Sequence, residues 1–142
     1  RYKLPIQFPT AWSPFPGGLF YGNPIWVDEV AGRYPDIPII LTKMGRSLET
    51  YFEPSITVAM RNSNIYLDVV GTNSDHLRQA IDIIGSERIM FGSDWSATWR
   101  WLKKPAPLYD IRKRVLEGAN LTREEYEDIY WRTANNIFKL GF

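Results

Sequence analysis

Ile84-Gly-Ser-Glu-Arg-Ile-Met-Phe-Gly-Ser-Asp-Trp95 runs from the end of a helix, through a short strand, into a loop that opens on a carboxylate. The helix before it shows in Leu77, Ala80, Ile81 and Ile84, which share one apolar face at helical spacing. Gly85 ends that helix, as glycine does where the chain must leave the right-handed conformation. Arg88–Phe91 reads as a strand, and Gly92 and Ser93 carry the chain to Asp94. An Asp in that place has a plain reading as a turn cap and a second one as a reactive group.

Working outward, the same alternation recurs. Leu4–Phe8 reads as a strand ending near Pro9, followed by a loop rich in Pro, Gly and aromatics from Trp12 to Asn23. Pro24 suits the first turn of a helix that uses Ile25, Trp26, Val27 and Val30. Ile37–Thr42 is nearly continuous apolar sequence, the pattern of a strand buried on both faces. Asn64–Val70 is a further strand. Leu48–Met60 is helical in character, and Pro54 within it predicts the start of a new helix. Ile111, Val115 and Leu116 mark another helix. Thr122 and Glu125 form a capping box ahead of a last one carrying Tyr126, Ile129, Tyr130, Ala134, Ile137 and Phe138. Strands alternating with helices predict parallel βαβ units, in an open doubly wound sheet or in a barrel. No glycine-rich phosphate loop follows any strand, which removes support from nucleotide binding.

Composition narrows the class. The 142 residues fit one ordinary domain, and 44% hydrophobic with 23% charged is globular composition. A net charge of +1 offers no basic footprint for nucleic acid. With no cysteine there is no disulfide, thiolate metal site or Cys nucleophile, which is compatible with a cytoplasmic location. No apolar run is long enough for a membrane span. A start at Arg1, inside a strand-like run and without Met, is what a fragment, a split subunit or a processed chain would show.

Three segments choose between barrel and open sheet: Tyr34-Pro-Asp-Ile-Pro-Ile-Ile-Leu-Thr-Lys-Met-Gly45, Asn64-Ile-Tyr-Leu-Asp68, and Ile84 to Trp95. In this order and spacing they resemble strands six, seven and eight of the amidohydrolase-related family, which includes non-oxidative decarboxylases and small-ester or lactone hydrolases. Thr133-Ala-Asn-Asn-Ile-Phe-Lys-Leu140 resembles that family's closing helix. The resemblance covers nearly the whole chain, and Gly85–Trp95 is its most specific part. It implies the C-terminal half of a TIM-like (β/α)8 barrel: one domain over residues 1–142, with strands five to eight and the closing helices. It also implies that Asp94 matches the carboxylate at the end of the last barrel strand, which binds a metal or orients and deprotonates water. A hard cation or a water nucleophile needs an anionic oxygen held rigidly, and barrel sites lie at the C-terminal strand ends.

The departures from the family are as informative. Its sixth strand ends in His-x-Gly, where this chain has Lys43-Met44-Gly45. Its fifth strand carries a metal-binding His, near Phe8 or Pro9 here, and its His-x-His pair would lie upstream of Arg1. His76, the single histidine, reads as a surface or capping residue at a helix start. A divalent metal, zinc or manganese, would therefore be bound mainly by residues outside this chain, with Asp94 contributing, or would be absent. Lys43 has two readings: an ammonium that stabilises an oxyanion or grips a substrate carboxylate, or one that pairs with Asp94 across the barrel mouth. Trp95, Arg100 and Trp12 are candidate contacts for a small, aromatic or carboxylated substrate. Trp99, Trp101, Phe15, Phe20 and Tyr21 share that pocket reading and have a second one as rim packing or subunit contacts.

Four strands cannot close an eight-stranded barrel. Edge strands would expose backbone groups, and Ile37–Leu41 would be poorly protected on one face. The expectation is an oligomer, or a longer chain, in which an N-terminal half barrel or a companion subunit completes the site. Two functions follow. One is hydrolysis or non-oxidative decarboxylation of a small organic molecule, with Asp94 and Lys43 catalytic. The other is a non-catalytic subunit with a structural or regulatory role.

Overall fold

The computed structural model describes residues 4–12, 19–94 and 108–142. Its sheet has four parallel strands in sequence order, β1 (Ile6–Pro9), β2 (Ile39–Thr42), β3 (Ile65–Asp68) and β4 (Ile89–Met90). Successive strands lie side by side with a helical connection between them, the pattern of consecutive units in a (β/α)8 barrel.

The register decides which side chains face which way. Phe8, Leu41, Leu67 and Ile89 align across the sheet and point to the helix layer. There they join Ala31, Phe52, Ile56, Val58, Leu77, Ala80, Ile81 and Ile129 in the main core. The helices supplying that core are α1 (Asp28–Arg33), α2 (Glu49–Arg61), α3 (Ser74–Ile84) and α4 (Leu108–Gly118). Pro24 opens a 3-10 turn, Pro24–Val27, that leads into α1, with Asn23 capping it through the Ile25 amide. The sequence is wrong about Pro54: α2 runs through it without a break. Proline removes one backbone bond there, but Phe52, Ser55, Ile56, Val58 and Ala59 are all buried on the same helix, and that packing outweighs the local loss.

The opposite face of the sheet carries Gln7, Pro9, Ile40, Thr42, Tyr66, Asp68 and Met90. It would be the concave, inner face of a barrel. Within the run Ile37–Leu41, Ile39 and Leu41 lie under the helix layer, and Ile40, the inward residue, is also 0% exposed. What covers Ile40 is the end of the chain. Thr122 and Glu125 close the predicted capping box at the start of α5 (Arg123–Glu127), a π turn follows over Asp128–Arg132, and α6 is Thr133–Phe138. Ile137 of α6 packs on Ile40 and Met90, with Tyr66 beside them. The π turn also turns the Ile129 carbonyl to accept from the Phe91 amide at 2.7 Å, just past β4.

At the other end of the strands, polar groups are consumed in bracing. Asn64 donates to the carbonyls of Ala31, Tyr34 and Ile37. Arg88 donates to those of Ala59, Asn62 and Ile65, closing the C-terminal end of α2. Burial pushes the Arg88 guanidinium below its ordinary pKa, although an arginine stays charged at neutral pH.

Candidate active site

The C-terminal ends of the strands are built differently from their starts. Beyond β2 the backbone enters a left-handed turn in which Lys43, Met44, Gly45, Arg46 and Ser47 all have positive φ. Such a conformation costs a non-glycine residue about 1 kcal/mol or more, so a run of this kind must be held by its surroundings. Asp68, the last residue of β3, supplies one hold: its Oδ1 accepts from the Lys43 amide at 2.7 Å and from the Val70 amide at 3.0 Å. The Ser47 hydroxyl donates to the Gly71 carbonyl at 3.0 Å. Within this turn Gly45 has no room for a side chain, since a Cβ there would lie 2.4 Å from the Phe52 amide nitrogen.

The turn delivers two cations to one carboxylate. Lys43 Nζ lies 3.0 Å from Asp94 Oδ2, and Arg46 Nη2 lies 3.3 Å from the same oxygen. All three side chains are mostly buried, at 15–22% exposure, so water screens the pairing less than it would at a surface. Arg46 is fixed from behind. Its Nη1 donates to the Trp12 carbonyl at 3.4 Å, and its guanidinium sits 5.4 Å from the Trp12 ring centre. On its flank is Gly71, where an added Cβ would come within 2.7 Å of Arg46 Cγ. Loops following all four strands therefore meet at Arg46. Beside this cluster is a cavity of about 340 Å3 lined by Gln7, Thr42, Lys43, Asp68, Met90 and Asp94 among others, with Ala134 and Phe138 of α6 closing one side.

The sequence candidates fall into three groups. Lys43 and Asp94 are brought together at the cavity. Trp12 reaches the cluster by backing Arg46 instead of lining the cavity. Trp95, Trp99, Arg100, Trp101 and Phe15 lie outside the described residues. Of the other aromatics, Phe20 packs on Trp26 and on Tyr21, and all three are exposed. Phe8 faces the helix layer, which leaves Pro9 as the inward residue at that strand end. His76 departs from the surface reading: it is buried, stacked on Phe52 at 4.0 Å, with Nε2 2.7 Å from Glu49 Oε1. The cap of that helix is Asn73, which accepts from the His76 amide. Sequence reasoning missed Arg46 and Asp68. The signal for Asp68 was a carboxylate closing its strand, and for Arg46 a cation three residues beyond Lys43; neither contact is visible without the left-handed turn.

A divalent metal does not fit the described residues. No cluster of three metal-ligating side chains occurs among them, and the oxygen that would bind a cation already carries two. Nor is any described helix long and apolar enough to cross a membrane.

Solved structures share this fold. An uncharacterised TIM-barrel protein from Bordetella bronchiseptica superposes with a TM-score of 0.73 at 21% identity, over 96% of this chain and 46% of that one. A dihydroxybenzoic acid decarboxylase from Polaromonas sp. JS666, with bound manganese and the inhibitor 2-nitroresorcinol, gives 0.66 at 21% identity, over 99% and 51%. An amidohydrolase from Burkholderia multivorans with bound zinc gives 0.61 at 18% identity, over 80% and 48%. The chain thus spans about half the length of these structures, and its fold is that of a partial TIM barrel. No curated protein matches it in sequence. The amidohydrolase family model, in contrast, matches residues 1–140, and with a half-barrel sheet and a carboxylate-bearing strand mouth beneath that match, this chain belongs to the amidohydrolase family.

Proposed function

We propose that this chain forms the C-terminal face of an active site for hydrolysis or non-oxidative decarboxylation of a small organic molecule. A second half barrel, upstream in the same protein or on a companion subunit, completes it. The observation carrying this reading is the Asp94–Lys43 pair at the cavity, at strand ends where barrel enzymes keep their chemistry. Asp94 is the proton-transfer group. In hydrolysis its carboxylate takes a proton from water as the water oxygen bonds to the substrate carbonyl carbon, and the Lys43 ammonium hydrogen-bonds the oxyanion that forms; the carbonyl then re-forms as the bond to the leaving oxygen breaks, and Asp94 passes its proton to that oxygen. In decarboxylation Lys43 neutralises the substrate carboxylate on binding. The carbon that loses carbon dioxide keeps the bonding electrons and takes a proton from a water that the Asp94 carboxylate orients, which leaves as hydroxide. Support for a small aromatic or carboxylated substrate comes from the decarboxylase with its nitroresorcinol inhibitor.

The test is turnover of a panel of hydroxybenzoates, lactones and small esters by the complete protein. Asp94→Asn and Lys43→Ala should each lower kcat about 100-fold or more. Unchanged turnover in both variants would remove the catalytic reading. A second reading, a non-catalytic subunit with a structural or regulatory role, is favoured by Pro9 and Lys43 standing where the family keeps histidines. It predicts no turnover in the wild type.

A further inference from the structure

We infer that Lys43 and Arg46 together take the place of a metal ion at Asp94, so that this carboxylate is held by fixed cations and is not a metal ligand. The inference rests on the reading of this cavity as the reactive site, and it adds a residue, Arg46, to which no role was given above beyond contact.

Three independent features converge on it. The first is charge. A divalent ion at a carboxylate supplies two positive charges, and Asp94 Oδ2 receives one from Lys43 at 3.0 Å and one from Arg46 at 3.3 Å. A metal approaching the same oxygen would meet both at close range in a mostly buried setting, where like charges repel strongly. The second is rigidity. A metal orders its ligands by coordination; here the left-handed turn from Lys43 to Ser47, tied by Asp68 and Ser47, sets the direction of both cations. Strained backbone of this kind persists where the surroundings over-determine it, and marks functional positions. The third is the backing of Arg46, whose Trp12 contacts and fit against Gly71 leave it little freedom. A metal would link the loops at the barrel mouth by shared ligation, whereas Arg46 links the loops after β1, β2, β3 and β4 through its own side chain. Arg46 is thus a positioning residue, acting through Asp94, and Lys43 is the cation that faces the cavity.

The experiment is a titration of the complete protein with Mn2+ alone, followed by electron paramagnetic resonance and thermal melting. Wild type and Asp94→Asn should bind Mn2+ equally, within a factor of two. A loss of tenfold or more in Asp94→Asn would overturn the inference by showing Asp94 to be a ligand. Lys43→Met/Arg46→Met should gain Mn2+ affinity by about tenfold, a gain abolished by adding Asp94→Asn. A folded double variant with no gain would also overturn it, because the cations would then not be what keeps metal away. If circular dichroism shows the double variant unfolded, Lys43→Met and Arg46→Met are read singly by the same criterion. These readouts need no turnover, so they decide the inference even if every substrate in the panel is refused. Conversely, measurable turnover that survives chelation but falls at least tenfold in Arg46→Met, with melting unchanged, would support both.

Discussion

Asp94 and Lys43 were legible from the sequence because each sits at a fixed offset from a strand, and strand ends are where side chains of distant segments converge. Their pairing was one of the two readings the sequence offered for Lys43, and they lie 3.0 Å apart; the presence of Arg46 was not legible, because it depends on backbone angles that residue types do not announce. Met, Arg and Ser rarely take positive φ, and nothing in Lys43-Met-Gly-Arg-Ser47 except the glycine hints at it. Arg88 makes the complementary case at the other end of the strands. It stands at the start of the strand expected from the sequence, and its side chain serves three carbonyls. Replacing it with Met keeps much of the volume but strands those acceptors. Arg88→Met should destabilise the protein by about 3 kcal/mol, seen as a lower urea midpoint at constant m, with the geometry of the Asp94 cluster unaffected.

Among the elements, periodicity located every strand within two residues at each end, and it located the capping box at Thr122. Glu125 closes that box and also pairs with Arg78 of α3 at 2.8 Å. The Arg78 hydrogen bond, opposed by burial and aided by Thr122, lowers the Glu125 carboxyl to about 2 from its ordinary 4.5. Arg78 is raised in turn by Glu125 and Asp82. A carboxyl depressed on folding adds stability above its unfolded pKa and loses it as pH falls through the folded value. The contribution should therefore be complete at neutral pH and fade between about pH 4.5 and 2. Glu125→Gln should melt below wild type at pH 7, with the two curves converging across that interval. An equal gap at pH 7 and pH 2.5 would show the bond to be without electrostatic weight. What periodicity could not supply was the π turn at Asp128–Arg132 or the continuity of α2 through Pro54. Each is decided by packing between elements, not within one.

Over the whole molecule, the surprise is how far a half barrel protects itself. The sequence argued that one face of Ile37–Leu41 would be poorly protected, because four strands cannot close an eight-stranded barrel. The closing helix covers part of that face, through Ile137 against Ile40 and Met90, while Gln7 and Pro9 stay exposed. Ile137→Ala should cost about 2 kcal/mol and raise the fluorescence of a hydrophobic dye under native conditions, since it opens the concave face. No rise in dye binding would mean that α6 contributes little to covering it. Legibility is lowest at this scale: an Ile near the C-terminus of an amphipathic helix declares that it packs, but not on which side of a sheet.

The bond from the Phe91 amide to the Ile129 carbonyl bears on how this chain would meet another half. Along β4, alternate residues turn their backbone groups to opposite sides; Met90 is used by β3, through the Val69 amide, so Phe91 offers its donor to the outer edge. That donor is already taken from within the chain. An incoming strand at this edge would have to exchange with the π turn, and so its arrival would be a displacement, not a simple addition. Edge and turn thus share one hydrogen bond, and the π turn caps the sheet where a bare strand would invite pairing.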